Sequence, residues 1–172
     1  MTDNNDTPDG TIELWQASPD AGHEVLSSLY TSMRGLRNLL KGTGRRIDVQ
    51  TYDVLQPTFS LSDAANRLAS RPTVVLLLIT PALLLNEDLL GPTMANLARR
   101  SKAEGSNLVV KPVCCLPVDM EIEYPWNCLS WDNAPASEFR PLPVSSEPDI
   151  GSACVRISRN VRMAIERMVP KK

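Results

Sequence analysis

The sequence predicts an α/β protein, a three-layer sandwich in which a central parallel sheet of four to five strands carries helices on both faces. Three observations lead there. Thr73 to Thr80 is an unbroken apolar run bounded by Arg71-Pro72 and Pro81, which suits a strand covered on both faces, as at the centre of a parallel sheet. Strand-like runs alternate along the chain with stretches whose apolar residues recur at three and four, the order that builds strand-helix units with crossovers. The length of 172 residues holds one domain with a real core and is too short for two ordinary ones.

Each element has its own signals. Residues 1–10, polar and acidic, are expected to form a disordered leader, and residues 11–169 a single domain. Thr11 to Trp15 reads as a first short strand. Ser18-Pro19-Asp20 then offers an N-cap serine with proline at the first helical position, and Val25, Leu29, Met33, Leu36 and Leu40 form one apolar stripe ending at Gly42 and Gly44. Arg46 to Val54 alternates Ile47, Val49 and Thr51 with polar neighbours, a second strand. After a loop with an exposed-looking Phe59, Ser60 and Asp63 form a capping box for a short helix through Leu61, Ala64, Ala65 and Leu68, which stops before Pro72.

Beyond the Thr73–Thr80 strand, Asn86 can cap a helix with Glu87 and Asp88 in its first turn, where the helix dipole favours acids. Leu89, Leu90, Met94, Leu97 and Ala98 are its inner stripe. Gly91-Pro92 interrupts the pattern, because proline removes a helical hydrogen bond outside the first turn, so the regular helix is placed from Gly91. Asn107 to Leu116 is a further buried strand, which Pro112 and Pro117 set toward a sheet edge or bend. Asp119 to Pro148, rich in proline and acids and holding Trp126 and Trp131, reads as loop with one short strand at Asn127 to Ser130. In the last helix Ser146 and Asp149 form a capping box, Pro148 sits in the first turn, and Ile150, Cys154, Ile157, Val161, Ile165 and Met168 keep a helical period. The whole is a flavodoxin-like arrangement.

Composition narrows the function. A net charge of -2, from 18 basic and 20 acidic residues, gives no broad basic surface for nucleic acid. The N-terminus lacks the order of a secretory signal and no run reaches bilayer length, so neither membrane nor secretion is expected and the cytosol is the expected compartment. In that compartment Cys114, Cys115, Cys128 and Cys154 stay reduced. Cys114 and Cys115 are adjacent and point to opposite faces of a strand, and His23 is the one histidine, so no metal site is expected and the cysteines read as small buried hydrophobes.

The run TVVLLLITPALLLNEDL, a helix, LVVKPVCCLPVD and a proline-rich segment before an amphipathic last helix resemble, over residues 11 to 168, a bacterial-type TIR (Toll/interleukin-1 receptor homology) domain. In that family the third strand ends in serine-proline and the fourth reads roughly V-x-P-V. Thr80-Pro81 and Val110-Lys111-Pro112-Val113 occupy these places. Two elements depart. The serine-tyrosine pair after the first strand is missing, although Asp20 matches the aspartate that follows it. In the loop after the second strand Pro57 matches, Thr58 replaces a glycine, and Phe59 is a displaced aromatic.

The resemblance implies chemistry that this sequence does not carry. Enzymatic TIR domains cleave the nicotinamide-ribose bond of NAD with a glutamate in the helix after the third strand, where a carboxylate can hold the ribose hydroxyls and stabilise the developing positive charge. The family spacing from Thr80-Pro81 puts that glutamate at Thr93 or Pro92, and no acid lies between Leu89 and Ala103. Asp20, Glu87 and Asp88 are the fallback carboxylates. No G-x-S-x-G, P-loop or G-x-G-x-x-G offers other chemistry.

The expectation is therefore a degenerate TIR-like component of a bacterial defence or signalling system, with no catalytic residue, no cofactor and no metal. Its partner would be a protein, either a second copy or another TIR domain, met through Gln56, Pro57, Thr58 and Phe59, with Thr80 and Pro81 at the pocket rim. An NAD hydrolase with a relocated carboxylate and a nucleotide sensor without catalysis are the alternatives.

Overall fold

The computed structural model describes residues 7–129 and 143–171. Strands β1 (Gly10–Gln16), β2 (Ile47–Asp53), β3 (Thr73–Ile79) and β4 (Leu108–Cys114) form one all-parallel sheet in the order β2-β1-β3-β4. Helices α1 (Glu24–Gly42) and α4 (Ile150–Met168) cover one face, and α2 (Leu61–Arg67) and α3 (Pro92–Lys102) the other. This is the flavodoxin-like three-layer sandwich expected from the sequence, with four strands.

The period of two sorts the strand residues between the layers. Ile12, Leu14, Val74, Leu76 and Leu78 face α1 and α4, while Trp15, Val75, Leu77 and Ile79 face α2 and α3. Every residue of β3 is buried, which is why its sequence shows no alternation. β4 lies at the sheet edge, where Pro112 can lack its N–H without orphaning a neighbour.

The helices begin at other residues than the sequence suggests. Ser18–Asp20 forms a separate 3-10 turn, and α1 is capped by His23, whose Nδ1 accepts from Val25 N at 3.2 Å. Pro19 therefore opens the turn and not the helix. The expected stripe Val25, Leu29, Met33, Leu36 and Leu40 is buried, and Gly44, at φ 82°, closes the helix in the left-handed conformation that glycine adopts without steric cost. Ser60 Oγ caps α2 from Asp63 N. Asn86 caps a 3-10 helix at Glu87–Leu90 and the regular helix starts afterwards, with Gly91 as its cap and Pro92 in its first turn. Leu90 is 44 % exposed and does not belong to the inner stripe.

The last helix is capped by Asp149 alone, which accepts from Ser152 N, while Ser146 ends a 3-10 turn at Val144–Ser146. Pro148 precedes the cap. Asn127 to Leu129 is turn and bend, not the expected short strand, and Ser130 and Trp131 lie outside the described residues. Residues 1–6 of the expected leader also lie outside them. Next to them the chain is tied down: Asp9 N donates to Arg46 O at 2.7 Å, Arg46 N donates to Asp9 Oδ2 at 2.8 Å, and β1 starts at Gly10. A Cβ at Gly10 would come within 3.1 Å of Pro72 O and 3.2 Å of Val169 Cγ2, so strand and last helix approach here only because the residue is glycine.

Candidate functional site

In open parallel sheets ligands sit past the carboxyl ends of the strands. In this protein three loops meet there and are laced to one another by side-chain hydrogen bonds. Thr80, fully buried just after β3, donates from Oγ1 to Asp20 Oδ2 at 2.5 Å and accepts from Leu83 N at 3.1 Å. That joins the loop after β3 to the loop after β1. Asp53, at the end of β2, accepts on Oδ1 from Ser18 N and from Leu55 N, each at 3.0 Å, joining the loops after β1 and β2. Asn86 closes the ring: its Nδ2 donates to Val54 O at 2.7 Å while its Oδ1 caps the turn at Asp88 and Leu89.

Burial by itself would raise the Asp53 carboxyl, but hydrogen bonds from Leu55, Ser18 and Gln56 hold it below the ordinary aspartate value. It stays ionised at neutral pH as a fastener between two loops.

The sequence-derived candidates thus divide. Asp20 and Thr80 are brought together, yet they are each other's partners. Pro81 is exposed beside them. Glu87 and Asp88 are exposed on the first turn of the 3-10 helix that Asn86 caps, where their charge complements the helix start. Pro92 is exposed and Thr93 half-buried in the first turn of α3. Gln56, Pro57 and Thr58 project from the loop after β2, and Phe59 is half-buried, edge-on to Trp15 with ring centroids 5.4 Å apart. The exposed-looking aromatic of the sequence is the loop's anchor, and the exposed surface is the three residues before it.

None of the four cysteines is in a disulfide. Cys114, Cys115 and Cys154 are buried and Cys128 is exposed, and burial pushes the Cys114 thiol up to about 11. Burial raises the Cys115 and Cys154 thiols as well, so all three stay protonated at neutral pH. Among the described residues no group of three or more His, Cys, Asp or Glu could hold a metal ion, and no helix is long and apolar enough to cross a membrane.

A second polar cluster, which the sequence reading missed, lies on the α2 side of the sheet. Glu13 in the middle of β1 is 2 % exposed, and Arg67 at the end of α2 donates to its Oε1 from Nη2 at 2.7 Å and from Nε at 3.1 Å. The Arg67 guanidinium also lies over the Tyr52 ring, 4.4 Å from its centroid. Burial, then the Glu13 charge, raise the Tyr52 phenol. The signal for this cluster was a lone acid between Ile12 and Leu14 in a strand at the centre of the sheet. Its partner is 54 residues away and shares no motif with it.

Comparison of the chain with protein-family models, with curated proteins and with solved structures found no match.

Proposed function

We propose that this chain is a TIR-like interaction component that binds a protein partner and does not cleave NAD. The observation that carries the reading is the laced carboxyl end of the sheet. Thr80 donates to Asp20 Oδ2 and ties the loops after β1 and β3 together, Asp53 and Asn86 fix the neighbouring loops, and Pro92 and Thr93 stand where the resemblance calls for a glutamate. A site for glycosidic cleavage needs a carboxylate presented to the sugar.

The loop Gln56–Phe59 is suited to recognition. Phe59 anchors it on Trp15 and Asp53 fixes its start, so Gln56, Pro57 and Thr58 are presented with little ordering entropy left to lose on binding. The partner is a second copy or another TIR domain, in a cytosolic defence or signalling assembly of a bacterial cell. Sedimentation velocity across a concentration series, alone and with a TIR domain added, tests this. Thr58→Arg should weaken the association at least about tenfold while leaving thermal unfolding unchanged. Equal association by that variant would remove the loop from the interface.

The two alternatives rest on Asp20, a carboxylate at the end of the sheet where a nucleotide would lie. Titration calorimetry with NAD and ADP-ribose separates the sensor from the interaction component. A flat titration is expected, and saturable heat would favour the sensor.

A further inference from the structure

Two surface features that the loop at residues 56–59 does not use complement each other. The first is a groove of about 380 Å³ between α1 and α4, walled by Ser32, Gly35 and Leu39 on one helix and by Val155, Arg159 and Arg162 on the other. Leu39 is 50 % exposed and Val155 59 %, so the groove has apolar walls open to solvent. Gly35 sits in the middle of a 19-residue helix, where glycine is destabilising relative to alanine, and a Cβ there would meet nothing within 4 Å. No packing inside the chain requires that glycine, but its bare backbone lets an incoming side chain approach closely. The helices around the groove are also basic. α1 carries three Lys and Arg residues against one Glu, and α4 four Arg against one Glu, in a chain whose net charge is -2. Arg162 holds Glu166, whereas Arg159 has no ion pair among the described residues.

The second feature is a knob of the opposite charge. In the segment after β4, Ile122 is 49 % exposed between the exposed acids Glu121 and Glu123. The turn that presents it is braced from within: Tyr124 Oη donates to Asp119 O at 2.7 Å, Glu121 N donates to Asp119 Oδ1 at 2.9 Å, and the buried Tyr124 ring stacks on Trp126 with centroids 5.0 Å apart. A β-branched side chain on a braced turn has little entropy left to lose on docking. Tyr124 and Trp126 belong to the core on the α2–α3 face, so knob and groove lie on opposite sides of the sheet and one chain can use both at once. Pairing two grooves face to face would instead set arginine against arginine.

We propose that a second copy of this chain fills the groove: Ile122 of one copy docks between Leu39 and Val155 of the next, with Glu123 against Arg159. The contact is heterologous and repeats into a ring or an open row. It deepens the reading of the chain as an interaction component by adding a contact remote in sequence from the loop at residues 56–59, so the two can fail separately. Sedimentation velocity of the Thr58→Arg chain, in which the loop contact is spoiled, tests it up to about 0.5 mM, because a small interface binds weakly. The sedimentation coefficient should still rise with concentration, and less steeply as salt is added. Ile122→Arg spoils the knob and Gly35→Gln fills the groove; each should weaken association at least about tenfold without lowering thermal stability, since both positions face solvent. Mixed together, these two variants should form a dimer and stop there, because one knob and one groove remain intact. Glu123→Arg and Arg159→Glu should each weaken association, and the two reversals in one chain should restore it. The proposal is overturned if the Thr58→Arg chain stays monomeric throughout, which leaves the loop reading standing, or if Ile122→Arg associates as before, or if the mixed variants do not pair. A monomeric chain that sediments with phosphatidylserine vesicles, and loses this with Arg159→Glu, would also overturn it and give the basic face to a membrane surface.

Discussion

The two faces of the sheet are built differently. Two 19-residue helices, α1 and α4, cover one face with an almost wholly aliphatic core. A buried cation on that side, Arg45, is satisfied, with Nε on Val169 O at 2.7 Å and Nη1 on Thr43 Oγ1 at 2.9 Å. The other face has helices of seven and 11 residues over a layer of Trp15, Trp126, Tyr124, Phe59 and the Glu13–Arg67 pair. Among the described residues, Glu13 Oε2, Trp15 Nε1 and Trp126 Nε1 in this layer and Asp53 Oδ2 at the end of β2 are buried without hydrogen-bond partners. The first face is thus held by aliphatic packing, and the second combines aromatic packing with a buried ion pair.

Truncation of a large side chain on each face should separate these roles with the largest effect. Trp15→Ala should lower stability by about 3–5 kcal/mol and free Phe59, seen as a drop in urea midpoint together with faster proteolysis at Gln56–Thr58. Leu29→Ala, on the aliphatic face, should cost about 2–5 kcal/mol and leave that loop as resistant as before. Equal loop cleavage in both variants would break the contrast.

Arg67→Met should come next. Removing one partner leaves Glu13 buried and unpaired, a loss of roughly 2–3 kcal/mol, below the full penalty for a buried pair because Arg67 is 41 % exposed. Chemical denaturation should show this loss relieved when Glu13→Leu is added. An unrelieved double variant would mean that Arg67 acts through its stacking on Tyr52.

How legible these regions were follows from how local their causes are. β3 was readable because burial on both faces leaves an apolar run, and β4 likewise, with Pro112 pointing to an edge or a bend and the structure showing the edge. The stripes of α1 and α4 repeat within one element. Caps were less secure: Ser18-Pro19-Asp20 has the composition of a helix start, yet Asp20 turns to Thr80 and Ser18 N goes to Asp53, so the helix begins only at His23. The Glu13 cluster and the ring of loop contacts were not readable, because each joins residues 32 to 60 positions apart with no periodic trace.

A smaller effect is expected at the laced loops. Thr80→Val keeps the shape but removes the hydroxyl that serves Asp20 and Leu83 N, at a cost of about 1–3 kcal/mol. Adding Asp20→Ala should cost less than the sum of the singles, and strict additivity in a double-mutant cycle would deny the coupling.

The smallest effect is a pH dependence. The Asp53 carboxyl is depressed in the folded state, so its contribution is present above the ordinary aspartate value and disappears as pH falls through the lower folded value. Urea midpoints should decline through that acid window, and Asp53→Asn should flatten the decline. An unchanged slope would show that other carboxylates carry it.

Nicotinamide release from NAD, followed over a series of protein concentrations, tests most directly whether this domain binds without catalysing. No release above the buffer blank is predicted at any concentration. Release that grows with protein and is abolished by Asp20→Asn or Glu87→Ala would contradict the account and establish a relocated catalytic carboxylate.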